Sequence, residues 1–180
     1  FGLRLADMAG RYRANVKTIE KPWGEWFSLD ELEAALIEHK PAILAIVHAE
    51  TSTGVCQPMD GVGDLCRKYD CLLLLDTVTS LGGVPLYIDE WKVDLAYSCS
   101  QKGLSCPPGL GPFTMGPRAE AKMEARTGKV PNWYLDVSLL NKYWGSDRVY
   151  HHTAPVNMNF GMREALRLLA EEGVNQSWAR

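Results

Sequence analysis

Two side chains combine a reactive type with a telling position. Asp76 closes the apolar run Leu72 to Leu75 and precedes Thr77-Val-Thr-Ser-Leu-Gly-Gly83; Lys102 stands in Ser100-Gln-Lys-Gly-Leu-Ser-Cys-Pro-Pro-Gly109, just past the segment Asp94 to Cys99. Both preceding segments read as buried strands, which puts both residues at carboxyl ends, where open α/β sheets form their ligand crevices. Position alone decides nothing, since an Asp there also caps turns and most lysines are solvated surface charges. The setting of Lys102 adds the discriminating feature: among Ser, Gln and Gly, in a loop stiffened by Pro-Pro-Gly, an amine can lose water and have its pKa lowered, as Schiff-base chemistry requires. With a carboxylate on the neighbouring strand, the pair fits pyridoxal phosphate chemistry: the lysine bonds the aldehyde while the acid keeps the ring nitrogen protonated, so that the ring draws electrons.

Such a pair needs a sheet to hold it. Ala42 to Val47 and Cys71 to Leu75 are continuous apolar runs, as expected of strands covered on both faces of a parallel sheet; Asp94 to Cys99 and Phe113 to Met115 are shorter strands. Helices are expected over Gly2 to Arg13, from the capping-box spacing Ser28-Leu-Asp-Glu31 to about Lys40, over Asp60 to Tyr69, and from Pro117 to about Arg126. The β-prone Val16 to Ile19 reads as a further strand. Strand and helix alternate, which predicts an α/β fold: a mostly parallel sheet with flanking helices and right-handed crossovers. From Val130 the rhythm breaks into a stretch crowded with Trp133, Tyr134, Tyr143, Trp144 and Tyr150, and a long helix starts near Asn157. The expected organisation is a sheet domain over 1–153 and a linker helix over 154–180.

The 180 residues, 46% hydrophobic and 23% charged, have the balance of an ordinary globular protein. A domain of this size buries about 70% of its unfolded surface and needs no disulfide or structural metal. The net charge of −3 and the lack of a basic block argue against a nucleic-acid partner. Five cysteines without a C-x-x-C pair suggest reduced thiols in a cytosol-like compartment. No apolar run approaches the ~20 residues that cross a bilayer. The chain opens on Phe1 and closes inside a helical pattern, so it is expected to be an internal piece of a longer protein.

Five ordered blocks carry a resemblance: His48-Ala-Glu-Thr-Ser-Thr-Gly54, Leu75-Asp-Thr-Val-Thr-Ser-Leu-Gly-Gly83, Tyr97-Ser-Cys-Ser-Gln-Lys102, Pro107-Pro-Gly109 and Tyr150-His-His-Thr-Ala-Pro155. Together they resemble the alanine:glyoxylate and serine:pyruvate aminotransferases, in class V of the fold-type I pyridoxal phosphate enzymes, over essentially the whole chain. The resemblance implies the large cofactor-binding domain of such an enzyme, with the small carboxyl-terminal domain missing. By position it makes Lys102 the residue that bonds the cofactor and shuttles the proton, and Asp76 the partner of the ring nitrogen. On the same resemblance Val78 would lie against the ring face, Thr51 would bond the phenolic oxygen, and Gln101 would bind the phosphate. Tyr150 and Thr153 would reach the phosphate of the other subunit in a homodimer with shared active sites, again as the resemblance implies. Val78 is equally explained by core packing and Thr51 by turn formation.

The resemblance also implies amino acid and 2-oxo acid substrates: alanine or serine as donor, glyoxylate as acceptor. It places the protein in the cytoplasm, or in the peroxisome of a eukaryote. Most phosphate ligands, the aromatic that stacks on the ring and the arginine for the substrate carboxylate are expected outside this sequence, leaving the segment alone a weak cofactor binder. His151 and His152 suggest a metal, but adjacent histidines do not easily face one site and no Cys or carboxylate stands at ligand spacing; none is expected. His48 reads as a loop histidine rather than a catalyst. Two rivals remain: a 3-hydroxykynurenine or other aromatic transaminase using glyoxylate, and an inactive scaffold of the same fold. A nucleotide-binding module lacks its G-x-G-x-x-G or Walker motif.

Overall fold

The computed structural model describes residues 1–180 as α1 (Gly2–Arg11), α2 (Leu29–His39), β1 (Ile43–Val47), β2 (Ala49–Glu50), β3 (Val55–Cys56), α3 (Val62–Lys68), β4 (Leu72–Asp76), β5 (Leu95–Tyr97), β6 (Phe113–Met115), α4 (Pro117–Glu124), α5 (Val137–Trp144), α6 (Val156–Glu172) and α7 (Val174–Ala179). The main sheet runs β1-β4-β5-β6, with β1, β4 and β5 parallel and β6 antiparallel at the edge. The α/β, mostly parallel architecture expected from the sequence is therefore present.

Local chemistry sets the elements. Ser28 Oγ accepts from the Glu31 backbone N–H while the Glu31 carboxylate accepts from Ser28 N–H, closing a capping box at the start of α2. Leu32 and Leu36, one turn apart, then face the same way and are fully buried. The helix stops where Lys40 turns left-handed (φ 44°) before Pro41. In β4, Leu73 and Leu75 are wholly buried, and α2 and α3 supply the layer over them through Leu32, Leu36, Val62 and Cys66. Burying one such leucine contributes about 1.5–3 kcal/mol. Gly63 lets α3 sit on the turn at Trp91, since a Cβ there would lie 2.0 Å from the Trp91 carbonyl oxygen.

Three segments differ from the sequence expectation. Val16 to Ile19 is not a strand: these residues are exposed and pair with nothing, and β propensity without a neighbouring ladder makes no sheet. β1 is the edge strand of this sheet and its Ile43 and Ala45 are exposed, whereas β4 is buried along nearly its whole length, so of the two apolar runs only β4 has the two-sided cover expected. The aromatic stretch contains a helix, α5, which Asp136 caps by accepting from Ser138 N–H at 3.0 Å. The carboxyl-terminal helix begins at Val156, breaks at Gly173 (φ 91°), and resumes as α7, whose Ser177 Oγ donates to the Gly82 carbonyl at 2.7 Å. No helix is long and apolar enough to cross a membrane.

Candidate active site

The parallel strands end together. In register, Val47 of β1, Asp76 of β4 and Tyr97 of β5 lie side by side, and the segments leaving them form one rim. Asp76 is buried, and each carboxylate oxygen has one donor: Val78 N–H to Oδ1 at 2.9 Å and Tyr97 O–H to Oδ2 at 2.6 Å. Tyr97 is held protonated, chiefly because burial disfavours its phenolate and further because the Asp76 carboxylate accepts a hydrogen bond from its O–H and repels a second negative charge.

The segment after Asp76 is tied to its neighbours on both sides. On the β1 side, Thr51 Oγ1 and Thr79 Oγ1 share a hydrogen bond of 2.7 Å. Thr51 sits there because β2 and β3 pair closely across Thr51-Ser-Thr-Gly54, a turn that Gly54 closes at φ 72°. On the β5 side, Ser98 Oγ donates to the Thr77 carbonyl at 2.9 Å. The Lys102 loop is closed around the buried Ser100, whose hydroxyl donates to the Pro107 carbonyl at 2.7 Å and accepts from Leu110 N–H at 3.3 Å. Gly103 then presses on Leu81 and Gly82, so Lys102 is carried to the rim that Asp76 ends. Its amine makes no hydrogen bond or ion pair within the chain, and both Lys102 and Gln101 are exposed, so the loss of water expected at the lysine is not present here: the Pro-Pro-Gly loop brings no side chain over the amine.

Thr51, Asp76, Val78, Gln101 and Lys102 are thus borne on three adjoining segments at the carboxyl ends of the sheet. Tyr150 and Thr153 are not joined to them: both are exposed, and their hydroxyls pair with each other at 3.1 Å. Between them, His151 is buried edge-on against Trp133 and bonds the Tyr134 carbonyl, while His152 packs on Tyr134. His48 is buried edge-on against Trp91, and burial lowers its pKa.

Sequence reasoning gave no role to Tyr97 or Thr79, the side chains that hold Asp76 and Thr51. Tyr97 lay inside a quoted block; the signal was its in-register place opposite Asp76, which becomes visible only once the two strands are paired.

Comparison with known proteins bears on what this rim is for. Residues 3–180 match the family model described as aminotransferase class-V. The chain belongs to the class-V aminotransferases. It is 45% identical over its whole length to a mouse protein named alanine–glyoxylate aminotransferase, spanning 44% of that protein. Among solved structures, an alanine–glyoxylate aminotransferase from Nostoc sp. shares 66% identity with a TM-score of 0.97 over 99% of this chain and 47% of its own. A ureidoglycine–glyoxylate aminotransferase from Bacillus subtilis shares 38% identity with a TM-score of 0.96, over 99% of this chain and 46% of its own. The chain therefore spans about half the length of the relatives it matches.

The class implies pyridoxal phosphate, and the donor set fits it. A buried carboxylate with one donor on each oxygen keeps lone pairs for a cationic ring nitrogen. The unpaired lysine suits an aldehyde, and the amide and hydroxyls suit the phosphate and the phenolic oxygen.

Proposed function

We infer that the protein takes part in pyridoxal phosphate-dependent transamination, moving an amino group from alanine or serine to glyoxylate. The observation that carries the reading is the placement of buried Asp76 and unpartnered Lys102 on adjoining segments of one rim, in a chain similar along its whole length to proteins named alanine–glyoxylate aminotransferase. When bound, the cofactor supplies an electron sink for the bond broken next to the substrate nitrogen. Asp76 would hold its ring nitrogen, Val78 its ring face, Thr51 its phenolic oxygen and Gln101 its phosphate. Lys102 would hold its aldehyde carbon. With its Nζ free, Lys102 would be the base that takes the proton from the donor's α-carbon and passes it on within the same half-reaction, and the acid that protonates the acceptor's carbon in the second half of a ping-pong cycle.

The same reading assigns Tyr150 and Thr153 to the phosphate held by a second copy of the chain. Their exposure and mutual bond support this, because both hydroxyls remain at the surface. The surrounding Trp133, Tyr134 and Trp144 are exposed too, as suits a face that another subunit covers. The sheet domain of 1–153 and the linker segment of 154–180 belong to this proposal, as does a cytoplasmic or peroxisomal location.

The test is a donor panel on the full-length protein, with glyoxylate as acceptor and alanine, serine, 3-hydroxykynurenine and ureidoglycine as donors. Highest kcat/KM with alanine or serine is the expected result. Preference for either other donor overturns the assignment of substrate, and no turnover with any donor favours the scaffold reading.

A further inference from the structure

Asp76 can serve a ring nitrogen only if its carboxylate is held in one plane with a lone pair left over. The strand gives part of that control: Oδ1 is fixed by Val78 N–H, a bond local to the turn. Oδ2 is fixed from a different strand. Parallel pairing of β4 with β5 puts Tyr97 directly opposite Asp76, and residues in register across a sheet project from the same face. The Tyr97 hydroxyl then donates to Oδ2 at 2.6 Å, a short, charge-assisted bond. Tyr97 is itself anchored from behind, because its backbone carbonyl accepts from both Thr77 N–H at 2.9 Å and Thr77 Oγ1 at 2.8 Å. A phenol so placed can only donate, since a carboxylate has no proton to give back.

We propose that Tyr97 is a positioning residue for the cofactor: its hydroxyl, donated across β4 and β5, holds the Asp76 carboxylate in the orientation that presents it to the ring nitrogen. The proposal rests on the reading of Asp76 as the ring-nitrogen partner. Orientation lowers the entropy lost when the cofactor binds. The resistance of the phenol to ionisation, caused first by burial and then by Asp76, keeps the donor present at every working pH.

The experiment measures pyridoxal phosphate binding to the full-length apoprotein in four forms: parent, Tyr97→Phe, Asp76→Asn and the double variant. Removing one bond to a charged group is expected to raise Kd about tenfold in Tyr97→Phe. Asp76→Asn should weaken binding more, and adding Tyr97→Phe to it should change Kd by less than about twofold, because the two residues act as one unit. Parent-like affinity in Tyr97→Phe beside a weakened Asp76→Asn overturns the role of Tyr97 and leaves Asp76 standing. Equal, additive losses also overturn it, since Tyr97 would then act independently. Parent-like affinity in Asp76→Asn overturns the reading of Asp76 itself.

A second measurement does not depend on the folding of Tyr97→Phe. In the apoprotein with tyrosines labelled at the ring carbon that bears oxygen, one tyrosine should resist ionisation in the parent and ionise at lower pH in Asp76→Asn. Identical tyrosine titrations in the two proteins contradict the proposal.

Discussion

Gly103 lies so close to Leu81 that a Cβ on it would stand 2.4 Å from the Leu81 carbonyl oxygen and 3.0 Å from Gly83 N. This contact joins the loop bearing Lys102 to the segment that leaves Asp76. Gly82, at φ 80°, presses back on the Gly103 carbonyl, so neither backbone has room to yield.

Gly103→Ala should therefore displace the Lys102 loop while sparing the core of Leu73 and Leu75. Overpacking of this kind costs about 1–3 kcal/mol. The expected outcome for the full-length protein is a lowered Tm together with cofactor content and kcat reduced at least tenfold; a variant with parent kcat would show that the contact does not position Lys102.

At the other end of the sheet, Asp94 is buried and accepts from Leu73 N–H at 2.9 Å and from Arg118 Nη1 at 2.9 Å; Arg118 Nη2 also bonds the Cys71 carbonyl at 3.1 Å. Arg118→Ala leaves the Asp94 charge without its counterion. Losing one partner of a buried pair costs about 3–5 kcal/mol, and because Arg118 is partly exposed the low end, about 3 kcal/mol, is expected. Urea unfolding of the full-length protein should show this loss with cofactor affinity unchanged, since the pair lies away from the Asp76 rim.

Much of this arrangement is legible in the sequence, and the reasons differ by element. The strand β4 and helix α2 announce themselves because one apolar run and one capping box decide them locally. Asp76 and Lys102 can be located from the strands they follow. By contrast, Val16 to Ile19 has the composition of a strand, but strand formation depends on a partner that the segment does not have. α5 was hidden by its aromatics, although Asp136 followed two residues later by Ser138 marked its start. The bond between Tyr97 and Asp76 spans 21 residues and depends on the register of β4 with β5, a property of two strands together.

The capping box gives a pH dependence. Lys21 first, and then the Ser28 N–H and hydroxyl, hold the Glu31 carboxyl down to about 2 from its ordinary 4.5. A depressed folded-state pKa contributes stability above the unfolded value and loses it as pH falls. Stability from this group is therefore fully present above about pH 4.5 and disappears progressively toward pH 2. Glu31→Gln should flatten the dependence of the urea midpoint over that window; an unchanged slope would mean that other carboxylates carry the acid sensitivity.

If active sites are shared between two copies, two inactive variants should complement. Mixing full-length Lys102→Ala with the doubly substituted Tyr150→Ala, Thr153→Ala protein lets each heterodimer assemble one site having both its lysine and intact phosphate contacts. Activity should return toward one quarter to one half of the parent level on an order-of-magnitude basis, depending on the exchange equilibrium. No recovery after verified subunit exchange would assign Tyr150 and Thr153 to their own subunit or to no site.

The central claim is that Lys102 is the residue that bonds the cofactor. Borohydride reduction of the full-length holoprotein, followed by proteolysis and mass mapping, tests it most directly. The account predicts a pyridoxyl group on the peptide containing Lys102 and none on that peptide from Lys102→Ala; the group on a different lysine of the parent, or on no lysine, contradicts it.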